Sequence, residues 1–372
     1  MKIAYVYDVI HPYVAGGAQK RIWEVSRRLA QRGHDVTVLG MKHWEGDNVI
    51  YKEGVKLWGV CPPQELHVNG RRSIKEALYF AWRVLPPLLK ERFDVVDCQN
   101  FPYFPCFSAK LACVVRRSTL VITWHEVWDD YWFSYLGNKG FPGKVVERII
   151  AHLGHRTVAN SESTKRGLTG IGVKRIEVVS SGVDLEKTAS VARSIEQSDV
   201  IFVGRLTREK NVDLLVKAVG RVQKEMPGIR CLVIGDGPER ENIESLVGRS
   251  DLRDNVFLRG FVASDEQVLS LMKASKVLVL PSTREGLGLV VLEANACGLP
   301  VITVKHPQNA ACDLVTDGQN GFNCLPSDRD IADRILTVMA STDGWADRCR
   351  DLARVYDWDA IVDALEGVYQ GA

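Results

Sequence analysis

Twice along this chain, short apolar runs alternate with longer amphipathic stretches. Residues 3–7 read as a buried strand. Residues 18–32 have helical spacing at Ile22, Val25 and Leu29 and stop at Gly33. Strands are expected at 36–39, 55–60, 93–97, 120–123, 157–158 and 176–179. Helices are expected at 73–85 (broken by Pro86 and Pro87), 107–115, 140–153 and 162–168. Residues 182–198 are polar and lack a clear period, and the pattern then restarts. Its second round has strands at 200–203, 230–234, 256–258, 277–280 and 301–303. Its helices fall at 212–224, 239–247, 266–274 and 289–296, and 331–369 is largely helical. Alternation of this kind predicts α/β architecture: parallel sheets covered by helices on both faces, in two tandem doubly wound domains. The expected domains are 1–185 and 186–355. Ligands of such sheets sit at the carboxyl ends of strands, so the expected site is a cleft that the two domains face across.

The 372 residues are 46% hydrophobic and 25% charged, so both domains can bury a core without disulfides or a structural metal. Apolar runs such as 84–89 fall far short of the roughly 18 residues of a membrane span. Residues 1–10 carry Asp8 and read as a strand rather than a signal peptide. Nine scattered cysteines with no CxxC pair suggest reduced thiols and a cytoplasmic protein. The net charge of +2 conceals an asymmetry. Residues 1–190 hold 27 Lys and Arg against 19 Asp and Glu, whereas residues 191–372 hold 21 against 27. A basic first half suits anionic partners or an acidic lipid leaflet. A nucleic-acid binder would carry denser basic patches, and none is expected here.

Candidate site residues cluster after predicted strands. His11-Pro12-Tyr13-Val14-Ala15-Gly16-Gly17 follows the first strand; Gly16 and Gly17 fit a ligand-approaching turn or a tight turn with positive φ. His125 stands just beyond the strand at 120–123. Arg205 and Lys210, in Gly204-Arg205-Leu206-Thr207-Arg208-Glu209-Lys210, flank the end of a strand and the start of a helix. Cations are unfavourable at a helix N-terminus, so the pair suggests an anion such as a diphosphate between them; a solvated charged loop is the alternative. Glu285-Gly286-Leu287-Gly288 precedes a helix. Glu293 lies five residues beyond Gly288, ~7.5 Å along the axis, among Leu289, Val291, Leu292 and Ala294. Two carboxylates so spaced suit vicinal diols at opposite ends of one ligand.

Other motifs carry less. Gly235-Asp236-Gly237-Pro238 half-matches a dinucleotide fingerprint, but Arg240 stands where a third glycine belongs, so it reads as a structural turn. The Asp-x-Asp triplets at Asp328 and Asp330 and at Asp357 and Asp359 read as helix caps. His152 and His155 have no third ligand nearby, so no metal site is expected.

Taken together, the motifs resemble the GT-B glycosyltransferases, in particular the retaining family 4 group ("glycosyltransferase group 1"). The resemblance runs in order through Pro12 to Gly17, His125, Asn160-Ser161, Ser181-Gly182-Val183-Asp184, the GRLxxEK element at 204–210, Gly235 to Pro238 and EGLGLVVLEA at 285–294. It implies two Rossmann-like domains, with 356–372 a helix that crosses back onto the first. It implies an acceptor-side first domain and a second that binds a nucleotide diphosphate sugar, UDP- or GDP-linked. Arg205 and Lys210 would hold the diphosphate, and Glu285 with Gly286, Leu287 and Gly288 the sugar hydroxyls. Glu293 would take the ribose diol, Phe261 and Val262 the base, His125 the donor sugar, and Gly16 and Gly17 the diphosphate or sugar. Leu287 departs from the family, where Phe is common.

Transfer would retain anomeric configuration without metal or cofactor. A double displacement would need a nucleophilic carboxylate, for which Asp8, Glu126, Asp129 and Asp130 are candidates by position. Aromatic residues at 101–107 and 124–135 and the basic-aromatic stretch 71–82 suggest a lipid-linked or cell-envelope glycan acceptor and a peripheral position at the inner face of the membrane. A nucleotide-sugar epimerase of the same fold, a non-catalytic sugar-nucleotide binding module and an NAD dehydrogenase are the other classes such a sequence admits.

Overall fold

The computed structural model describes residues 1–14, 16–68, 71–341 and 344–371; Ala15, in the glycine-rich turn, lies outside them. The chain divides into two compact units, one of Met1–Ser181 with Trp358–Ala372, the other of Gly182–Asp357. Each is an α/β body built on a parallel sheet.

The strands of the first unit are β1 (Lys2–Val6), β2 (Asp35–Met41), β3 (Val49–Lys52), β4 (Val55–Cys61), β5 (His67–Val68), β6 (Arg71–Arg72), β7 (Val95–Gln99), β8 (Thr119–Trp124), β9 (Arg156–Ala159) and β10 (Glu177–Val178). Eight of them form one sheet in the order β10-β9-β8-β7-β1-β2-β4-β3, parallel except where β3 pairs with β4; β5 and β6 form a separate pair. Successive side chains of a strand point to opposite faces. On β1, Ile3 and Tyr5 pack with Ile22, Val25 and Leu29, while Ala4 and Val6 pack on the other face with Phe80 and Val84. A strand buried on both faces has no room for polar alternation, so the sheet reads as near-continuous apolar runs. The last helix, Trp358–Gln370, belongs to this unit: Trp358, Ile361, Val362 and Leu365 are buried against the Ile3 and Tyr5 face.

Sequence periodicity placed a helix break at Pro86 and Pro87, and the structure corrects this: one helix runs Ile74–Lys90 through both prolines. Proline forfeits a hydrogen bond. Here Phe80, Val84 and Leu88, one helical turn apart, are all buried, and that packing keeps the helix intact.

The second unit contains β11 (Val200–Val203), β12 (Cys231–Ile234), β13 (Val256–Gly260), β14 (Val277–Leu280), β15 (Val301–Val304) and β16 (Gly321–Cys324). All are parallel, in the order β13-β12-β11-β14-β15-β16. Counted within the unit this is the 3-2-1-4-5-6 arrangement, whose topological switch point lies between its first and fourth strands, β11 and β14. In the first unit the order likewise reverses between β1 and β7. Among the described residues no helix is long and apolar enough to cross a membrane.

Candidate functional site

In the second unit Arg205, Lys210 and Glu285 follow the two strands of the switch point, whereas Phe261 and Val262 follow the edge strand β13. The segment after β11 turns at Gly204, forms a 3-10 turn over Arg208–Lys210 and enters the helix Val212–Val222 through Asn211. The segment after β14 runs through Ser282 and Thr283 to Gly288. The two are tied together: Thr283 N donates to Glu209 O at 2.9 Å, Asn211 Nδ2 donates to Pro281 O at 3.0 Å, and Lys210 Nζ donates to Glu285 Oε1 at 2.5 Å. The anion beside Lys210 in this structure is therefore the Glu285 carboxylate. Arg205 is exposed and makes no ion pair among the described residues. One cation is neutralised and one is available.

Glycines let these loops pass closely. A Cβ on Gly235 would lie 1.8 Å from Gly204 O, and one on Gly237 would lie 2.4 Å from Leu206 O. Leu206 N in turn donates to Asp236 O at 2.9 Å. The half-matched dinucleotide motif is thus a structural crossing beneath the β11 loop. Glu285 N donates to Gln308 O and Ala310 N to Glu285 O, both at 2.9 Å, which fixes the Glu285 backbone. Gly288, at φ 87, opens the helix Leu289–Ala296, which has no side-chain cap. Its amino end is left with backbone donors, a setting that favours anions or hydroxyls. The Leu287 side chain joins a small apolar cluster with Val183, Leu292 and Ala296, so what it offers outward is backbone. Glu293 is only partly buried, although Val291, Leu292 and Ala294 around it are fully so. Phe261 and Val262 follow β13 at the sheet edge; Phe261 is 66% exposed. Sequence reasoning missed Thr207 and Ser282, whose hydroxyls are buried without a hydrogen-bond partner among the described residues. A small polar residue just past each switch-point strand was the available signal.

In the first unit, Gly16 and Gly17 are exposed and open the helix Gly17–Gln31, again with no side-chain cap. His125 follows β8. Its backbone N donates to Asn100 Oδ1 at 3.1 Å, and its Nε2 lies 2.8 Å from Gln99 Oε1. Gln99 Nε2 donates to Asp97 Oδ1 at 2.9 Å, so Oε1 is the face turned to the imidazole. Nε2 must then carry the proton, which leaves Nδ1 an acceptor. Asp97 also accepts from Thr123 Oγ1 at 2.8 Å and from Tyr369 Oη at 2.6 Å, and Tyr5 Oη lies 2.8 Å from Tyr369 Oη. Burial pushes Asp97 up, against the pull of these donors and the buried guanidinium of Arg21. Burial, with the Arg21 charge adding to it, pulls His125 down to about 3, so the ring is neutral at physiological pH. Asp97, Gln99 and Arg21 were not read as site residues. Their signal was polarity inside a sheet buried on both faces.

The four carboxylates named by position are already engaged. Asp8 is buried and paired with Arg72, which also reaches Glu76 at 3.1 Å. Glu126 accepts from Trp128 Nε1 at 2.6 Å, and Lys144 holds both Asp129 and Asp130. Its hydrogen bond keeps Asp130 below the usual carboxylate range. Asp328 and Asp330 sit in the first turn of the helix Asp328–Ala340, whose cap is Ser327, and Asp328 pairs with Arg221. The triplet is thus corrected from cap to first-turn carboxylates. Among the described residues no group of three or more His, Cys, Asp or Glu could hold a metal ion.

Two parallel-sheet Rossmann-like domains, each with a switch point in its sheet, make up the GT-B fold. Residues 186–354 match the family model "Glycosyl transferases group 1", and residues 15–187 match "Glycosyltransferase Family 4". Glycogen synthase of Mycobacterium tuberculosis is 30% identical over all of this chain and 95% of its own length. The gpi3 subunit of phosphatidylinositol N-acetylglucosaminyltransferase from Schizosaccharomyces pombe is 23% identical over 95% of this chain and 77% of its own. The crystal structure of Anabaena HepE in complex with UDP and glucose shares the fold, with a TM-score of 0.77 at 19% identity and all of both chains covered. The chain belongs to the group 1, family 4 glycosyltransferases.

Proposed function

We propose that this glycosyltransferase moves a sugar from a UDP- or GDP-sugar to a lipid-linked or cell-envelope glycan acceptor, with retention of anomeric configuration and without a metal. The observation that carries the donor assignment is the switch-point constellation: Arg205 unpaired, Lys210 held 2.5 Å from Glu285, and the uncapped helix Leu289–Ala296 beside them. Breaking the anomeric bond leaves extra negative charge on the diphosphate. Arg205, Lys210 and the helix amides are donors already in place for it, which is the most effective form of transition-state stabilisation. Glu285 and the backbone of Gly286, Leu287 and Gly288 take the sugar hydroxyls, Glu293 the ribose diol, and Phe261 and Val262 the base. In the first unit we assign Gly16 and Gly17 to the diphosphate and His125, as a neutral acceptor at Nδ1, to the donor sugar. The prior engagement of Asp8, Glu126, Asp129 and Asp130 supports a front-face displacement over a covalent glycosyl intermediate. UDP and glucose in HepE, and a lipid named in the gpi3 relative, support a nucleotide sugar and a lipid-linked acceptor. We place the protein in the cytoplasm, peripheral to the inner face of the membrane.

Thermal shift with UDP, GDP, ADP and NAD, with and without EDTA, tests the donor. A ligand at 100 times its Kd adds about 2.7 kcal/mol of stability. We expect a shift with one nucleoside diphosphate that survives EDTA and is lost in Glu293→Ala. A shift with NAD alone overturns the reading, and inversion at the anomeric carbon, read by NMR of the first product, overturns retention.

A further inference from the structure

The first unit holds a cavity of about 280 Å³, room for roughly nine water-sized groups. Its walls are aromatic: Phe101, Tyr103, Trp128, Trp132 and Tyr135, closed by Val146. Trp128 organises them, stacked on Phe101 at 5.5 Å, tilted on Trp132 at 4.7 Å and edge-on to Tyr135 at 5.0 Å. The polar handles of three of these rings are already used. Tyr103 Oη donates to Glu147 Oε1, Trp128 Nε1 donates to Glu126, and Tyr135 Oη accepts from Arg72 N. Glu147, buried, also accepts from the backbone of Trp128 and Asp129, both at 2.8 Å, and so fixes the loop that carries the wall. The fourth handle, Trp132 Nε1, is buried without a hydrogen-bond partner among the described residues, but a cavity with one polar ring atom to spare still suits hydrocarbon better than a sugar with its many hydroxyls.

Three cations line the same cavity, and they differ in state. Arg72 is neutralised by Asp8 and Glu76. Arg71 and Lys139 are exposed and make no ion pair among the described residues. Beside them Ile74 and Phe141 are 62% and 61% exposed. The lining thus joins an apolar interior to two available positive charges, and that is complementary to an amphiphile with one anionic head.

We propose that this cavity binds the apolar chain of a lipid-phosphate acceptor, with the phosphate held by Arg71 and Lys139. The inference rests on the lipid-linked acceptor reading and names its chemistry. Dodecyl phosphate below its micelle concentration is the probe, titrated into the full-length protein by calorimetry and by the fluorescence of the wall tryptophans. We expect saturable binding, at least tenfold weaker for dodecyltrimethylammonium, and a loss of tenfold or more in the exposed double variant Arg71→Glu/Lys139→Glu. Val146→Trp, which fills the cavity, should lose binding as well; the double variant stands alone if Val146→Trp fails to fold. Absence of dodecyl phosphate binding, binding indifferent to the charge reversal, or equal competition by a soluble oligosaccharide overturns the proposal. So does sedimentation with anionic vesicles without binding of the monomeric probe, because the surface would then recognise bulk lipid. The nucleotide thermal shift is read on the same preparations. If it persists while dodecyl phosphate does not bind, the cavity assignment falls and the glycosyltransferase reading stands.

Discussion

The Tyr369 hydroxyl donates to Asp97 Oδ2 at 2.6 Å, so the last helix of the chain ends on the carboxylate that orders Gln99 and, through it, His125. Tyr369→Phe removes one of the three side-chain donors to a buried carboxylate. An unsatisfied buried acceptor costs about 1–3 kcal/mol, to be read from urea unfolding. A purely structural tyrosine would do no more than that. Here the Gln99 amide also loses its fixed orientation, so ¹⁵N NMR of His125 should change from a single Nε2–H tautomer to a mixture.

Lys210 and Glu285 form a part-buried ion pair, at 19% and 11% side-chain exposure. Removing one preorganised donor from a developing oxyanion typically costs about 2.7–4 kcal/mol of barrier. Lys210→Met should therefore lower kcat/KM by about 100- to 1,000-fold. It also strands the Glu285 carboxylate, so stability falls. Adding Glu285→Gln should restore the urea midpoint and leave activity low. Recovery of both together would assign the pair to folding alone.

How far these relationships could be read in advance depends on sequence separation. Gly16, Arg205, Lys210 and Glu285 each announce themselves locally, by a glycine or a charge just past an apolar strand. Their partnership does not. Lys210 and Glu285 are 75 residues apart, and Tyr369 and Asp97 are 272 apart. Both pairs depend on which strands become neighbours, and spacing along one sequence does not encode that. Pro86 and Pro87 fail for a related reason: the local rule stops the helix, and the burial of Leu88 overrides it.

Gly235, at φ +137, cannot accept a side chain without moving the β11 loop, because the nearest atom to its Cβ would be the Gly204 carbonyl. Overpacking against backbone costs about 1–3 kcal/mol, and the dihedral adds strain. Gly235→Ala should destabilise by that amount and weaken nucleotide binding, since Arg205 follows Gly204 directly. Gly228→Ala, where nothing lies within 4 Å, should be silent in both assays. Equal effects of the two would remove the loop crossing as the cause.

His125 should give stability an acid dependence of definite sign. Its folded pKa is lowered to about 3 by burial and the Arg21 charge, whereas an unfolded histidine titrates near 6.5. Between those values the unfolded chain binds a proton that the folded protein refuses. The contribution is therefore fully present above about pH 6.5 and is lost as pH falls toward 3. Carboxylates titrate in the same range, but they are common to wild type and His125→Gln and cancel in the difference. The wild-type advantage in unfolding free energy should shrink by about 2–3 kcal/mol between pH 7 and pH 4.5, measured by urea titration at each pH. The acid limb of kcat/KM should likewise show no inflection near 6.5 from this ring. A difference that stays constant with pH would mean that the folded ring titrates where the unfolded one does, so that burial does not hold His125 neutral below pH 6.5.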